Sequence, residues 1–124
     1  MFTACAPEEW HELGIVLVSV FLARRGCAVR YLGPNLPLDG LAAFVEQHHP
    51  AVVVLSAQRA ETARKLRGTA AVLQAGTPPH PTLVFGGQAF DADARLRVGV
   101  EGVYVGPDAT AAADAIVELV GVQR

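Results

Sequence analysis

A single imidazole, His11, stands among carboxylates in the segment Ala6-Pro7-Glu8-Glu9-Trp10-His11-Glu12-Leu13-Gly14. An imidazole in a loop can ligate a metal through one nitrogen while a neighbouring carboxylate orients it through the other and raises its basicity. Other segments carry groups suited to the same kind of site. Ser56-Ala57-Gln58 offers a hydroxyl and an amide, Gly86-Gly87-Gln88 a backbone without side chains at its first positions, and Gly106-Pro107-Asp108 a carboxylate ahead of a helix.

Those segments need a scaffold that gathers them. Phe2 to Cys5 reads as a short strand and Glu12 to Arg25 as a helix, with Arg24 and Arg25 in its last turn and Gly26 as its stop. Ala28 to Leu32 reads as a strand closed by Gly33-Pro34-Asn35 and Pro37. Leu38 to His48 reads as an amphipathic helix with Leu41, Phe44 and Val45 on one stripe. Ala51 to Leu55 is a β-branched run of the kind found in central parallel strands. Glu61 to Gln74 is a weaker helix, since Gly68 inside it costs about 1 kcal/mol relative to alanine. Thr82 to Phe85 is a strand ended by Gly86-Gly87, and Asp91 to Arg97 a short helix. Gly102 to Val105 is a last strand, followed by an Ala109 to Val120 helix with Asp108 as its N-cap.

This alternation predicts one α/β domain over residues 1–124, a doubly wound five-stranded parallel sheet in the flavodoxin-like (Rossmann-like) order 2-1-3-4-5. In that order the loops after strands one, three, four and five share the C-terminal edge, where ligands bind. The switch point sets the His11 and Ser56 loops on either side of one crevice. The first helix is apolar nearly all round, from Leu13 to Leu22, so one face covers the sheet and the other needs a further partner.

Composition narrows the partners. The 124 residues are 52% hydrophobic with mean hydropathy +0.33, which fits a sheet covered on both faces. A net charge of −2 and a pI near 6.0 leave no basic footprint for direct nucleic-acid binding. The run from Ile15 to Ala23, broken by Ser19, falls far short of the ~20 residues that span a bilayer, and it lacks signal-peptide flanks. Cys5 and Cys27 are too few for a disulfide framework and have no zinc spacing with the histidines, so a cytoplasmic setting is expected. His48 and His49 read as solvent-facing, and Arg64, Lys65 and Arg67 as a solvated helix face.

Several tenants of such a sheet are excluded. The first loop has no Gly-x-Gly-x-x-Gly and no Gly-Lys-Ser/Thr, which removes dinucleotide and nucleoside-triphosphate sites. It also lacks the Ser/Thr-rich turn expected of a flavin-phosphate site. Ser56 and Gly106 stand where a phospho-receiver would carry an aspartate and a lysine.

What remains resembles the cobalamin (vitamin B12)-binding domain. The resemblance lies in the acid-x-His-x-x-Gly pattern of Glu9, His11 and Gly14, in Ser56 at the end of strand three and in Gly86-Gly87 after strand four. Tyr31-Leu32-Gly33-Pro34, Val54-Leu55-Ser56-Ala57 and the Val103-Tyr104-Val105 to Asp108-Ala109 segment extend it over essentially the whole chain, and look closest to the domain of MerR-type light-sensing repressors. Glu9 stands where many members have aspartate, and Gln58 where the Ser-x-Leu version has an apolar residue.

The resemblance implies that His11 replaces the vitamin's own benzimidazole as lower ligand of cobalt. The displaced nucleotide tail then enters a slot between the first helix and the strands. On this reading the cofactor contacts Glu9, Trp10, His11, Glu12, Leu13 and Gly14 in the first loop, Gly33 after strand two, and Ser56, Ala57 and Gln58 after strand three. Gly86, Gly87 and Gln88 follow strand four, Leu17, Val54, Val84, Tyr104 and Val105 line the slot, and Asp108 and Ala109 meet the far end of the tail. Either Glu9 or Glu12 meets the imidazole, and Trp10 either stacks on the corrin or covers the loop. Gly87→Val is expected to fill the slot without unfolding the domain.

The implied function is a non-catalytic sensory or regulatory module with a DNA-binding partner chain. The alternatives are a corrinoid carrier serving a separate methyltransferase or mutase chain, and a cofactor-free interaction module. The apolar flank of the first helix leaves a homo-oligomer open.

Overall fold

Runs of β-branched and aromatic residues form parallel strands, and each returns through a helix that buries its apolar stripe on the sheet. The computed structural model describes residues 1–121, so the expected domain end at Arg124 lies outside the described residues. The strands are β1 (Phe2–Cys5), β2 (Arg30–Tyr31), β3 (Val52–Ser56), β4 (Thr82–Gly86) and β5 (Val103–Tyr104). The helices are α1 (Leu13–Arg24), α2 (Leu38–His48), α3 (Ala60–Arg64), α4 (Thr69–Gln74), α5 (Gln88–Ala92) and α6 (Ala109–Val120). The sheet is parallel throughout in the order β2-β1-β3-β4-β5, the doubly wound order expected.

Alternation along the strands separates two cores. Phe2, Val53, Leu55 and Phe85 face α2, α3, α4 and α5, while Cys5, Val54 and Val84 face α1 and α6. The register aligns Cys5, Ser56 and Gly86 in one row at the C-terminal ends of the central strands. That row is the floor edge of the site.

The ends of α1 and α6 follow from their capping residues. Gly26 (φ 87°) closes α1: its N–H donates to Ala23 and that of Cys27 to Leu22, the paired bonds of a Schellman motif. Asp108 Oδ1 accepts the Thr110 N–H at 2.9 Å and starts α6.

Boundaries differ where local chemistry competes with periodicity. The helix expected over Glu61 to Gln74 breaks into α3, a 3₁₀ turn at Lys65–Gly68, and α4. Gly68 lies at the break, and the tighter turn leaves Leu66 and Thr69 buried on either side of it. The helix expected from Asp91 begins earlier, at Gln88, and ends at Ala92. Asp93 Oδ1 accepts the Arg95 N–H at 3.0 Å and opens a separate 3₁₀ turn at Ala94–Arg97. β2 is shorter than Ala28 to Leu32, although backbone bonds to the β1 segment flank it on both sides: the Ala28 carbonyl accepts the N-terminal amine at 2.7 Å and the Leu32 N–H donates to the Thr3 carbonyl at 2.8 Å.

Candidate functional site

The loop between β1 and α1 carries the imidazole and is fastened from several sides. Asn35 Oδ1 accepts the Glu8 N–H at 2.7 Å, and the Asn35 N–H donates to the Glu9 carbonyl at 2.8 Å. Glu8 holds a left-handed φ of 65° there, with its carboxylate 2.9 Å from Lys65. The turn sends the Glu9 side chain inward, where it is fully buried, and leaves the His11 side chain 66% exposed above it.

Glu9 Oε2 lies 2.7 Å from His11 Nδ1 and accepts the His11 N–H at 3.2 Å. Its Oε1 accepts the Gln58 N–H and the Thr62 hydroxyl, each at 2.6 Å. Burial alone would raise the carboxyl's pKa. The donors from Thr62, Gln58 and His11 outweigh it and hold the group at about 2, well below its ordinary value. An ionised carboxylate at Nδ1 keeps the proton on that nitrogen, so the neutral ring presents the Nε2 lone pair. Among the described residues no hydrogen bond occupies Nε2.

Beside this ring an open depression is bounded by His11, Leu13, Gly14, Gln58, Arg59 and Gln88, with Leu13 82% exposed. A slot of about 230 Å³ leads from Gly14, Gln58 and Gln88 into the molecule between α1 and α6. Its walls are Ile15 and Val18 from α1, Ala109 and Ala112 from α6, Val105-Gly106-Pro107 after β5, and Val54, Ser56, Gly86 and Gly87 from the sheet edge.

The structure thus gathers His11, Leu13, Gly14, Gln58 and Gln88 around the depression. Val54, Ser56, Gly86, Gly87, Val105 and Ala109 line the slot. Glu9, not Glu12, meets the imidazole; Glu12 instead accepts the Tyr31 hydroxyl at 2.6 Å. Burial and that carboxylate together push the Tyr31 hydroxyl's pKa up. Ser56 Oγ points toward Cys5 Sγ at 3.9 Å, and burial pushes the Cys5 thiol up. Trp10 is 63% exposed and lines neither the depression nor the slot.

Other expected contacts fall elsewhere. Leu17 is 42% exposed and lies off the slot, because the slot takes the Gly14–Ile15–Val18 face of α1. Tyr104 packs on the opposite face of the sheet, as alternation along β5 requires. Val84 is sealed in the core beneath the slot, Asp108 caps α6, and Gly33 serves the backbone through its carbonyl, which accepts the Cys5 N–H. Ala57 is fully buried, and its backbone supports Gly87.

Gly87 is required by the protein itself. It has φ 123°, and a Cβ there would collide with the Ala57 carbonyl. A Cβ on Gly86 would likewise stand 2.9 Å from the Val105 carbonyl oxygen. The expectation that Gly87→Val spares the fold is therefore corrected.

Thr62, Ile15, Val18, Asp91 and Ala112 were not foreseen. Thr62 carried one usable signal, its place four residues after Gln58 at the start of the helix that follows the Ser56 loop.

A doubly wound sheet with an oriented imidazole at its C-terminal edge and an adjoining apolar slot defines a cofactor-binding α/β domain. The chain belongs to the B12 binding domain family, which matches residues 1–116. Its cofactor class is therefore cobalamin, and the residues fit it. A lone imidazole suits a metal already held by a macrocycle, and among the described residues no group of three or more His, Cys, Asp or Glu side chains could hold a bare ion.

No curated protein matches the sequence. Solved structures do share the fold. A novel cobalamin-binding protein from Desulfitobacterium hafniense DCB-2 superposes with TM-score 0.85 at 20% identity, over 97% of this chain and 58% of that one. The monomethylamine corrinoid protein of Methanosarcina barkeri gives 0.80 at 19%, over 95% and 56%. The methanol:cobalamin methyltransferase complex MtaBC of the same organism gives 0.80 at 22%, over 98% and 46%. The chain spans about half the length of these structures. Among the described residues no helix is long and apolar enough to cross a membrane.

Proposed function

We propose that the chain carries cobalamin with the vitamin's own base displaced, His11 Nε2 as lower ligand and the nucleotide tail in the slot. It presents the upper face to a separate methyl-transferring chain and makes no chemical step itself. Bound cobalt would supply a labile upper position for the transferred group. The chain's part is to set the lower ligand: Glu9 keeps the proton on Nδ1, and Thr62 and Gln58 keep Glu9 ionised.

The observation that carries this reading is the exposed imidazole, gripped from beneath at one nitrogen only, at the mouth of an apolar slot. The carrier role is supported by the solved proteins that share the fold, a corrinoid protein and a methyltransferase complex among them. Free thiols at Cys5 and Cys27 suit a reducing cytoplasm.

The regulatory reading, drawn from Tyr31-Leu32-Gly33-Pro34 and Val54-Leu55-Ser56-Ala57, makes a different demand. A light sensor loaded with adenosylcobalamin changes oligomeric state on illumination; a carrier does not. Sedimentation velocity in the dark and after illumination separates them, and the carrier role predicts superimposable profiles. A shift on illumination would return the assignment to sensing.

A further inference from the structure

The walls of the slot are aliphatic groups, backbone, a hydroxyl and neutral amides, with one exception. Asp91, on α5, lines it, and among the described residues no other slot-lining side chain carries a charge. Its Oδ1 is committed, accepting the Tyr104 hydroxyl at 2.5 Å. Tyr104 is itself held, with the Arg97 guanidinium 3.9 Å from its ring centroid and Arg97 Nε donating to the Phe90 carbonyl at 3.0 Å. One carboxylate oxygen is therefore held by an anchored hydroxyl, and no hydrogen bond occupies Oδ2 among the described residues.

A carboxylate in an apolar slot attracts a hydrogen-bond donor and repels an anion. The cobalamin tail contains both kinds of group: ribose hydroxyls that donate, and a phosphodiester that carries negative charge. The geometry points to Asp91 as a specificity residue for that tail, with Oδ2 accepting a ribose hydroxyl. Its charge keeps the phosphodiester out of the slot, on the side of the open depression that Arg59 borders. This assignment rests on the tail-in-slot reading above.

The test compares cobalamin with cobinamide, which has the same cobalt and corrin ring but no ribonucleotide, by equilibrium titration of the purified chain. The wild type should bind cobalamin more tightly. Asp91→Asn, which keeps an oxygen for Tyr104, should weaken cobalamin binding roughly tenfold and leave cobinamide binding unchanged. Asp91→Ser should do the same, and retained cobinamide binding shows that either variant is folded. If both ligands weaken together, or neither does, the Asp91 assignment is overturned while the slot stands. If the wild type itself does not distinguish the ligands, the tail-in-slot reading falls and the assignment with it.

Discussion

Glu9 and His11 form a two-point contact, with one carboxylate oxygen 2.7 Å from the ring Nδ1 and 3.2 Å from the backbone nitrogen of the same residue. The spacing of two residues closes a small ring that fixes both the loop and the imidazole. Because Glu9 is buried and its other oxygen is bound to the Gln58 N–H and Thr62, the loop after β1 is tied to the start of α3 through one side chain. Imidazole orientation and local folding therefore depend on the same carboxylate.

Glu9→Gln keeps the shape but puts an amide N–H₂ against a donor. The apo protein is expected to lose on the order of 2 kcal/mol in urea denaturation. The cobalt-bound form should show weakened imidazole ligation in its visible spectrum. Wild-type stability in this variant would contradict the role given to Glu9.

The low pKa of Glu9 makes stability acid-sensitive in a defined window. The folded carboxyl sits at about 2 against an ordinary 4.5, so its contribution is complete above pH 4.5 and is lost as pH falls toward 2. The loss amounts to on the order of 3 kcal/mol. Denaturant midpoints measured across that range should fall for the wild type and stay flatter for Glu9→Gln.

Much of the fold was legible because alternation is strong: the β-branched run of β3 and the Gly26 and Asp108 caps specify their elements locally. The site was legible at His11, Ser56 and Gly86, which sit at strand ends or just after one. It was not legible where helical phase decides. Leu17 and Val18 are equally apolar, and only the packing of α1 against α6 turns Val18 toward the slot. The choice between Glu9 and Glu12 was likewise hidden, since it depends on a turn whose left-handed Glu8 no periodicity signals. The reason for Gly87 was misread for a similar cause, a carbonyl supplied from another loop.

Gly87→Val should destabilise the apo protein itself, by about 3 kcal/mol or more, from a disallowed backbone angle and collision with Ala57. Thermal unfolding without cofactor reads this directly. An unchanged midpoint would show that the two loops can part without cost.

Val18→Phe tests the slot by bulk instead of by backbone. Val18 is half-buried on its wall, so the larger ring should occupy the slot with a small effect on folding. Cobalamin affinity should drop at least tenfold while cobinamide affinity holds, as read by absorbance titration. Equal binding of both ligands by the variant and the wild type would place the tail elsewhere.

The central claim is that a protein imidazole bonds to cobalt, and electron paramagnetic resonance of the cobalt(II) form tests it most directly. Protein labelled with ¹⁵N-histidine and loaded with unlabelled cobalamin should convert the axial nitrogen triplet of the unlabelled sample into a doublet, and His11→Ala should lose the protein-derived splitting. A triplet that survives labelling would mean that the vitamin's own base still holds the metal, and the account would be wrong.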